Sequence, residues 1–187
     1  MIEKIFKKET TEIIKCLKKI KIKNNLFNEL CKITRLTIEN KGKIIFCGNG
    51  GSAADAQHLA AELVVKYQKK RKPLPAIAIT TDTSILSSIG NDFSYDKIFS
   101  RQIEALGERK DLIICLTTSG NSKNIINAVK SAKKKKINCF SIVGNNGGKL
   151  KNIQNDLIII PSKKTSVIQI CQLTLGHILC DYIEKNL

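Results

Sequence analysis

Between Lys43 and Leu63 a short apolar run, Lys43-Ile44-Ile45-Phe46-Cys47, meets Gly48-Asn49-Gly50-Gly51-Ser52 and passes at once into a helical pattern. A strand that turns on glycines straight into a helix leaves few folds open. Glycines let the backbone turn sharply and approach a ligand closely, and Ser52 is placed to cap the helix. Free N–H groups at the positive end of the helix dipole then make the turn an anion site. His58 and Glu62 follow four residues apart, so both side chains point to one side of the helix. Each feature alone has a plainer meaning, a structural turn for the glycines and a solvated helical pair for His58 and Glu62. Together they lay out an anion cradle leading to an imidazole and a carboxylate.

A nucleotide is a poorer fit to this cradle than a phosphosugar. Gly48, Gly50 and Ala53 match a loose G-x-G-x-x-G/A pattern, which calls for an acidic residue about 20 positions later to hold a ribose. That region is instead Gln68-Lys69-Lys70-Arg71-Lys72, and the lysine of a P-loop is missing after the glycines.

The remainder of the chain alternates apolar runs with helical periodicity. Strands are predicted at Lys43–Cys47, Ala76–Thr80, Leu112–Leu116, Asn138–Val143 and Leu157–Ile160. Helices are predicted at Ile2–Lys21, Asn24–Asn40, Ser52–Tyr67, Tyr95–Leu106, Ser122–Lys135 and Thr165–Lys185. Apolar strands separated by helices imply an α/β fold, a parallel sheet covered on both faces, with ligands beyond the carboxyl ends of the strands. At 187 residues and 42% hydrophobic content, with no low-complexity linker or repeat, one domain spanning 1–187 is expected.

Two further groups of polar residues fall at strand ends. Gly90-Asn91-Asp92-Phe93 follows the second strand, and the third strand ends in Thr117-Thr118-Ser119-Gly120-Asn121-Ser122 before a helix. A Ser/Thr-rich helix start is often only a cap. After a buried strand, opposite the first cradle, its hydroxyls and helix N-terminus form a second anion site. On the last helix Gln169 and His177 lie eight residues apart, on one broad face. His177 sits among Leu175, Ile178 and Leu179 like a core histidine, yet the chain has only two histidines and the other is His58.

Charge and cysteines exclude more than they assign. The net charge of +16 comes mainly from lysine, aromatics are 5%, and no basic run carries interleaved stacking residues. A solvated surface that attracts anionic substrates is expected, not a nucleic-acid face. Seven cysteines without a C-x-x-C, mostly inside apolar segments, fit reduced thiols in a cytoplasmic protein. Neither a membrane span nor a signal peptide is predicted.

The segments GNGGSAADAQHLAAEL, AIAITTDTSILSSIGNDFSYDKIFSRQIEALG, TTSGNSKNIINAV and VIQICQLTLGHILCDYIE together resemble the phosphoheptose isomerases of the sugar isomerase (SIS) domain superfamily. The resemblance covers the chain from residue 43 onward. It implies a flavodoxin-like three-layer sandwich with a five-stranded parallel sheet, preceded by N-terminal helices, at about residues 1–40 here. It also implies the conversion of sedoheptulose 7-phosphate to D-glycero-D-manno-heptose 7-phosphate in the making of heptose precursors.

By the same resemblance Asn49, Gly50 and Gly51 form the first substrate loop, with Ser52 as its phosphate-side serine. Asn91 and Asp92 reach the sugar, and Thr117, Thr118, Ser119 and Ser122 hold the phosphate. His58, Glu62, Gln169 and His177 match the positions that hold one zinc ion, of which Glu62 and Gln169 also face substrate. A homotetramer with sites between subunits is implied as well. Moving a proton between adjacent carbons through an enediol needs one group at carbon and another at oxygen, and Glu62 and His177 suit those opposite roles. Asp92 is the reserve partner for Glu62. Two other functions stay open for a chain of this kind: a non-catalytic SIS tetramer that binds the replication initiator, and an isomerase for another phosphosugar.

Overall fold

A computed structural model describes residues 1–20 and 26–187. The expected helix ends at Lys21 and Asn24 lie outside the described residues. Two helices lead, α1 (Ile2–Lys19) and α2 (Leu26–Glu39). They are followed by β1 (Ile44–Gly48), α3 (Gly51–Val64), β2 (Ala76–Ala78), α4 (Thr83–Asp92) and α5 (Ser100–Leu106). The chain closes with β3 (Leu112–Thr117), α6 (Lys123–Lys134), β4 (Asn138–Gly144), β5 (Leu157–Ile160) and α7 (Thr165–Asn186).

The five strands form one parallel sheet in the order β2-β1-β3-β4-β5, the flavodoxin-like arrangement. Every residue of β1 and β3 is buried, as strands covered on both faces must be. Their side chains alternate between two cores. Ile44 and Phe46 pack with α1, α2, α3 and α7, while Ile45 and Cys47 pack with α4, α5 and α6. This is the three-layer sandwich.

Reversal of strand order between β1 and β3 opens a crevice at their carboxyl ends, where ligands of such sheets bind. Both anion cradles sit there, because Asn49–Gly50 follows β1 and Thr118–Ser122 follows β3. Behind the crevice α3 and α7 run side by side. Leu59 of α3 fills the space over Gly176, where a methyl group would come within 2.4 Å of Leu59 Cδ2. That close approach lets polar side chains of the two helices meet.

Three elements depart from the sequence expectation. The helix expected over Ser52–Tyr67 stops at Val64, because Arg71 donates to the carbonyls of Glu62 and Leu63, both at 2.7 Å, and so caps that end. The helix expected over Tyr95–Leu106 is divided into a 3-10 turn at Tyr95–Lys97 and α5. Ser94 opens the former by accepting from the Asp96 N–H. Helix α4 was not expected at all. Its TSILSSIGND sequence buries only Ile89, so apolar periodicity is faint. The available cue was Asp82, which caps α4 by accepting from the Ile85 N–H at 2.9 Å.

Helix α7 is long and apolar enough to cross a membrane by length and mean hydropathy (1.2). Half of that stretch is buried against the sheet and its neighbouring helices, so here it is a core helix. The seven cysteines are free thiols, six of them buried.

Candidate active site

The first cradle is built by Gly50, whose φ of +55° favours glycine, and by Gly51, on which the Gln169 amide packs, 2.2 Å from where a Cβ would sit. Gly50 itself is the N-cap of α3, with no side-chain cap. Ser52 therefore does not cap the helix as expected. It lies one residue inside, 2% exposed, and its hydroxyl donates to Gln172 Oε1 at 3.0 Å. Gln172 Nε2 in turn donates to the carbonyls of Thr117 (3.2 Å) and Ile142 (2.7 Å). One buried amide thus ties the first cradle to β3 and β4. Gln172 was missed in the sequence. Its cue was a lone amide among Ile168, Cys171 and Leu175 on the face of α7 that meets the core.

The second cradle turns on Gly120, at φ +65°. Thr117 is buried and its hydroxyl accepts from the Gly120 N–H at 3.3 Å, so it shapes the loop from inside. Thr118 and Ser122 are half-buried, and Ser119 is exposed. Ser119 accepts from the Asn121 N–H and keeps its own hydroxyl proton for a ligand. Asn49 and Asn124 join the cradles by a reciprocal amide pair, both bonds 2.9 Å, and Tyr95 donates to Asn49 Oδ1 at 3.3 Å. Neither Asn124 nor Tyr95 was singled out from sequence.

Further along the α3–α7 seam three side chains converge. His58 Nε2 lies 2.9 Å from His177 Nε2 and 3.2 Å from Glu62 Oε1, and their ligand atoms all fall within 4.8 Å of one another. Adjacent ligands of a tetrahedral zinc at 2.0–2.1 Å stand about 3.3 Å apart, so two imidazoles and a carboxylate at these spacings fit a zinc ion. Burial, helped by the neighbouring His58 and opposed by Glu62, pushes the His177 imidazole below its usual range. At neutral pH it is uncharged, the form that ligates a metal or accepts a proton. Burial raises the Asp55 carboxyl, one turn before His58.

Gln169, the fourth expected ligand, lies on the same seam with its amide packed on Gly51 at the glycine turn. Asn91 and Asp92 form the last turn of α4, exposed and paired with each other at 2.8 Å. Among the described residues no hydrogen bond ties them to either cradle or to the His58 cluster.

Residues 6–144 match the SIS domain family. The phosphoheptose isomerase of Sulfurimonas denitrificans is 48% identical over 166 residues, 87% of this chain and 85% of the relative. That of Helicobacter pylori strain P12 is 43% identical over 187 residues, 100% of this chain and 97% of its own length. This chain is a member of the phosphoheptose isomerase family. The solved phosphoheptose isomerase of Neisseria gonorrhoeae superposes with a TM-score of 0.91 at 36% identity, covering 99% of this chain and 100% of that one. The Francisella tularensis enzyme gives 0.90 at 32% identity, over 98% and 96%.

Proposed function

We propose that this enzyme isomerises sedoheptulose 7-phosphate to D-glycero-D-manno-heptose 7-phosphate in heptose precursor biosynthesis, as one SIS domain spanning residues 1–187. The observation that carries the reading is the convergence of His58, Glu62 and His177 beside two anion cradles in a member of this family.

The 7-phosphate rests on the hydroxyls of Thr118, Ser119 and Ser122 at the N-terminus of α6, with the backbone of Asn49, Gly50 and Gly51 opposite. Thr117 and Ser52 support this site from behind, since Thr117 is buried and the Ser52 hydroxyl donates to Gln172. Anchoring the phosphate leaves the reacting end of the sugar to reach along the seam towards Glu62 and His177. One of that pair removes the proton from C1 of the ketose, giving an enediol, and a proton returns at C2. The other moves a proton from the C1 oxygen to the C2 oxygen, so the product is an aldose of unchanged composition.

His58, Glu62 and His177 would hold one zinc per subunit, with Gln169, whose amide packs at Gly51, turning toward them as the fourth ligand. Bound there, the ion would supply Lewis-acid polarisation of the carbonyl and stabilise developing oxyanion charge. Asn91 and Asp92 are assigned to the sugar hydroxyls, with Asp92 in reserve as an acid–base group.

A homotetramer with sites between subunits is part of this reading. The exposed Ile2, Ile5 and Phe6 on α1 and Ile170 and Ile178 on α7 support it, because apolar side chains in such number seek cover. Reduced thiols support a cytoplasmic location.

Purified protein incubated with sedoheptulose 7-phosphate, with and without added zinc, should produce the aldose resonances by NMR, and more with zinc. No aldose under either condition, together with binding to a replication initiator, would overturn the enzyme assignment.

A further inference from the structure

The ends of the two site helices are locked together by a buried ion pair to which the reaction above assigns no role. Glu184, near the end of α7 and with its side chain 2% exposed, accepts from the backbone N–H groups of Tyr67 (2.6 Å), Gln68 (2.8 Å) and Lys69 (2.9 Å), and from Arg71 Nε at 3.0 Å. Arg71 also donates to the Glu62 and Leu63 carbonyls, so the same guanidinium grips the last turn of α3, the turn that carries Glu62. A planar fork is needed for this, and lysine could not reproduce it.

Three successive amides around one carboxylate fix the backbone at Tyr67 and hence the direction its side chain takes. The Tyr67 ring stacks on the His177 imidazole, with centroids 5.3 Å apart and planes inclined by 27°. A ligand histidine is ordinarily oriented by a hydrogen bond from its second ring nitrogen. Among the described residues His177 Nδ1 has no such partner, and its hydrogen-bond contact is through Nε2 to His58. The face of Tyr67 takes the place of the missing hydrogen bond.

We propose that Tyr67 is a positioning residue for His177, seated by the Glu184–Arg71 clamp. This rests on the reading of His177 as a zinc ligand and acid–base group, and adds to it the device that sets its ring. Burial pushes the Glu184 carboxyl up, but the backbone donors and Arg71 outweigh burial and hold it at about 2, so the clamp stays charged at working pH.

With only two histidines in the chain, the imidazole signals of His58 and His177 are readily assigned by NMR. Glu184→Gln should move the His177 ring signals by releasing Tyr67. Tyr67→Leu should weaken zinc binding, read by competition with a chromogenic chelator, and lower kcat, each by about 10–100-fold. KM should change little, because the phosphate loop is untouched. Tyr67→Phe, which keeps the stacked ring, should behave as the unaltered protein. Unmoved His177 signals in a folded Glu184→Gln variant would overturn the clamp. If that variant does not fold, Tyr67→Leu decides alone, since it leaves the polar clamp intact, and unchanged zinc affinity would overturn the positioning role. A protein inert toward sedoheptulose 7-phosphate whose zinc affinity still falls on Tyr67→Leu would sink the proposed reaction and leave this inference standing.

Discussion

The two loops at the β1–β3 crevice both join a buried strand to a helix and differ in construction. In the first, Ser52 turns its hydroxyl into the core onto Gln172, and what remains toward the crevice is glycine backbone. In the second, Thr117 is drawn inward in the same way, but Thr118, Ser119 and Ser122 stay at the surface. The first loop belongs to a seam fixed by buried polar contacts that also bears the His58, Glu62 and His177 cluster. The second leaves hydroxyls at the surface. Position in the fold, and not residue type, decides whether a hydroxyl supports structure or is free to bind.

The largest effect should come from separating the seam from the loop. Glu62→Gln should lower kcat by about 10²–10⁴-fold while substrate binding, set by the second loop, is largely kept. Steady-state kinetics check this, and a variant whose loss lies in KM would merge the two regions again.

The clamp at the far end of the seam gives the next effect, in stability. The Glu184 carboxyl is held at about 2 in the folded chain, against an ordinary value of 4.5. A depressed carboxylate stabilises the fold above the ordinary value, and this contribution is lost as pH falls through the folded one. Denaturant titrations should therefore show Glu184→Gln less stable than the unaltered protein from pH 5 upward, with the difference shrinking below pH 4. A difference independent of pH would show that packing, not charge, holds the clamp.

Ser119→Ala should weaken substrate binding by about 1–3 kcal/mol, since a hydrogen bond to a charged phosphate is lost, with the unfolding midpoint unmoved. Ser52→Ala should do the reverse. It leaves Gln172 Oε1 without its partner and should lower stability by about 1 kcal/mol while KM barely changes. If the two serines behaved alike, the contrast between the loops would fail.

Much of the architecture was legible because it rests on local pattern. Uninterrupted apolar runs such as Ile44–Cys47 and Leu112–Leu116 announce doubly covered strands, and the glycines after the first of them announce the crevice. Helix α4 was not legible, because a Ser/Thr-rich helix with one buried residue has almost no apolar stripe. His58, Glu62 and His177 stood out by rarity and spacing, and they meet. Gln172, Asn124, Tyr67 and Glu184 did not stand out, since each is an ordinary polar residue until its partner is known.

By itself the sequence determined the alternation of strands and helices, the placing of both cradles at strand ends, and the side of α3 that bears His58 and Glu62. These follow from bond geometry and from periods of two and 3.6 residues, which act over a few neighbours. The tertiary structure alone decided which hydroxyls turn inward and which face the crevice. It alone brought Glu184 to Tyr67 across 117 residues and His177 to His58 across 119. Those contacts depend on how α7 is rotated and seated against α3, and that is set by Leu59 packing over Gly176 and by the core beneath, not by either segment alone.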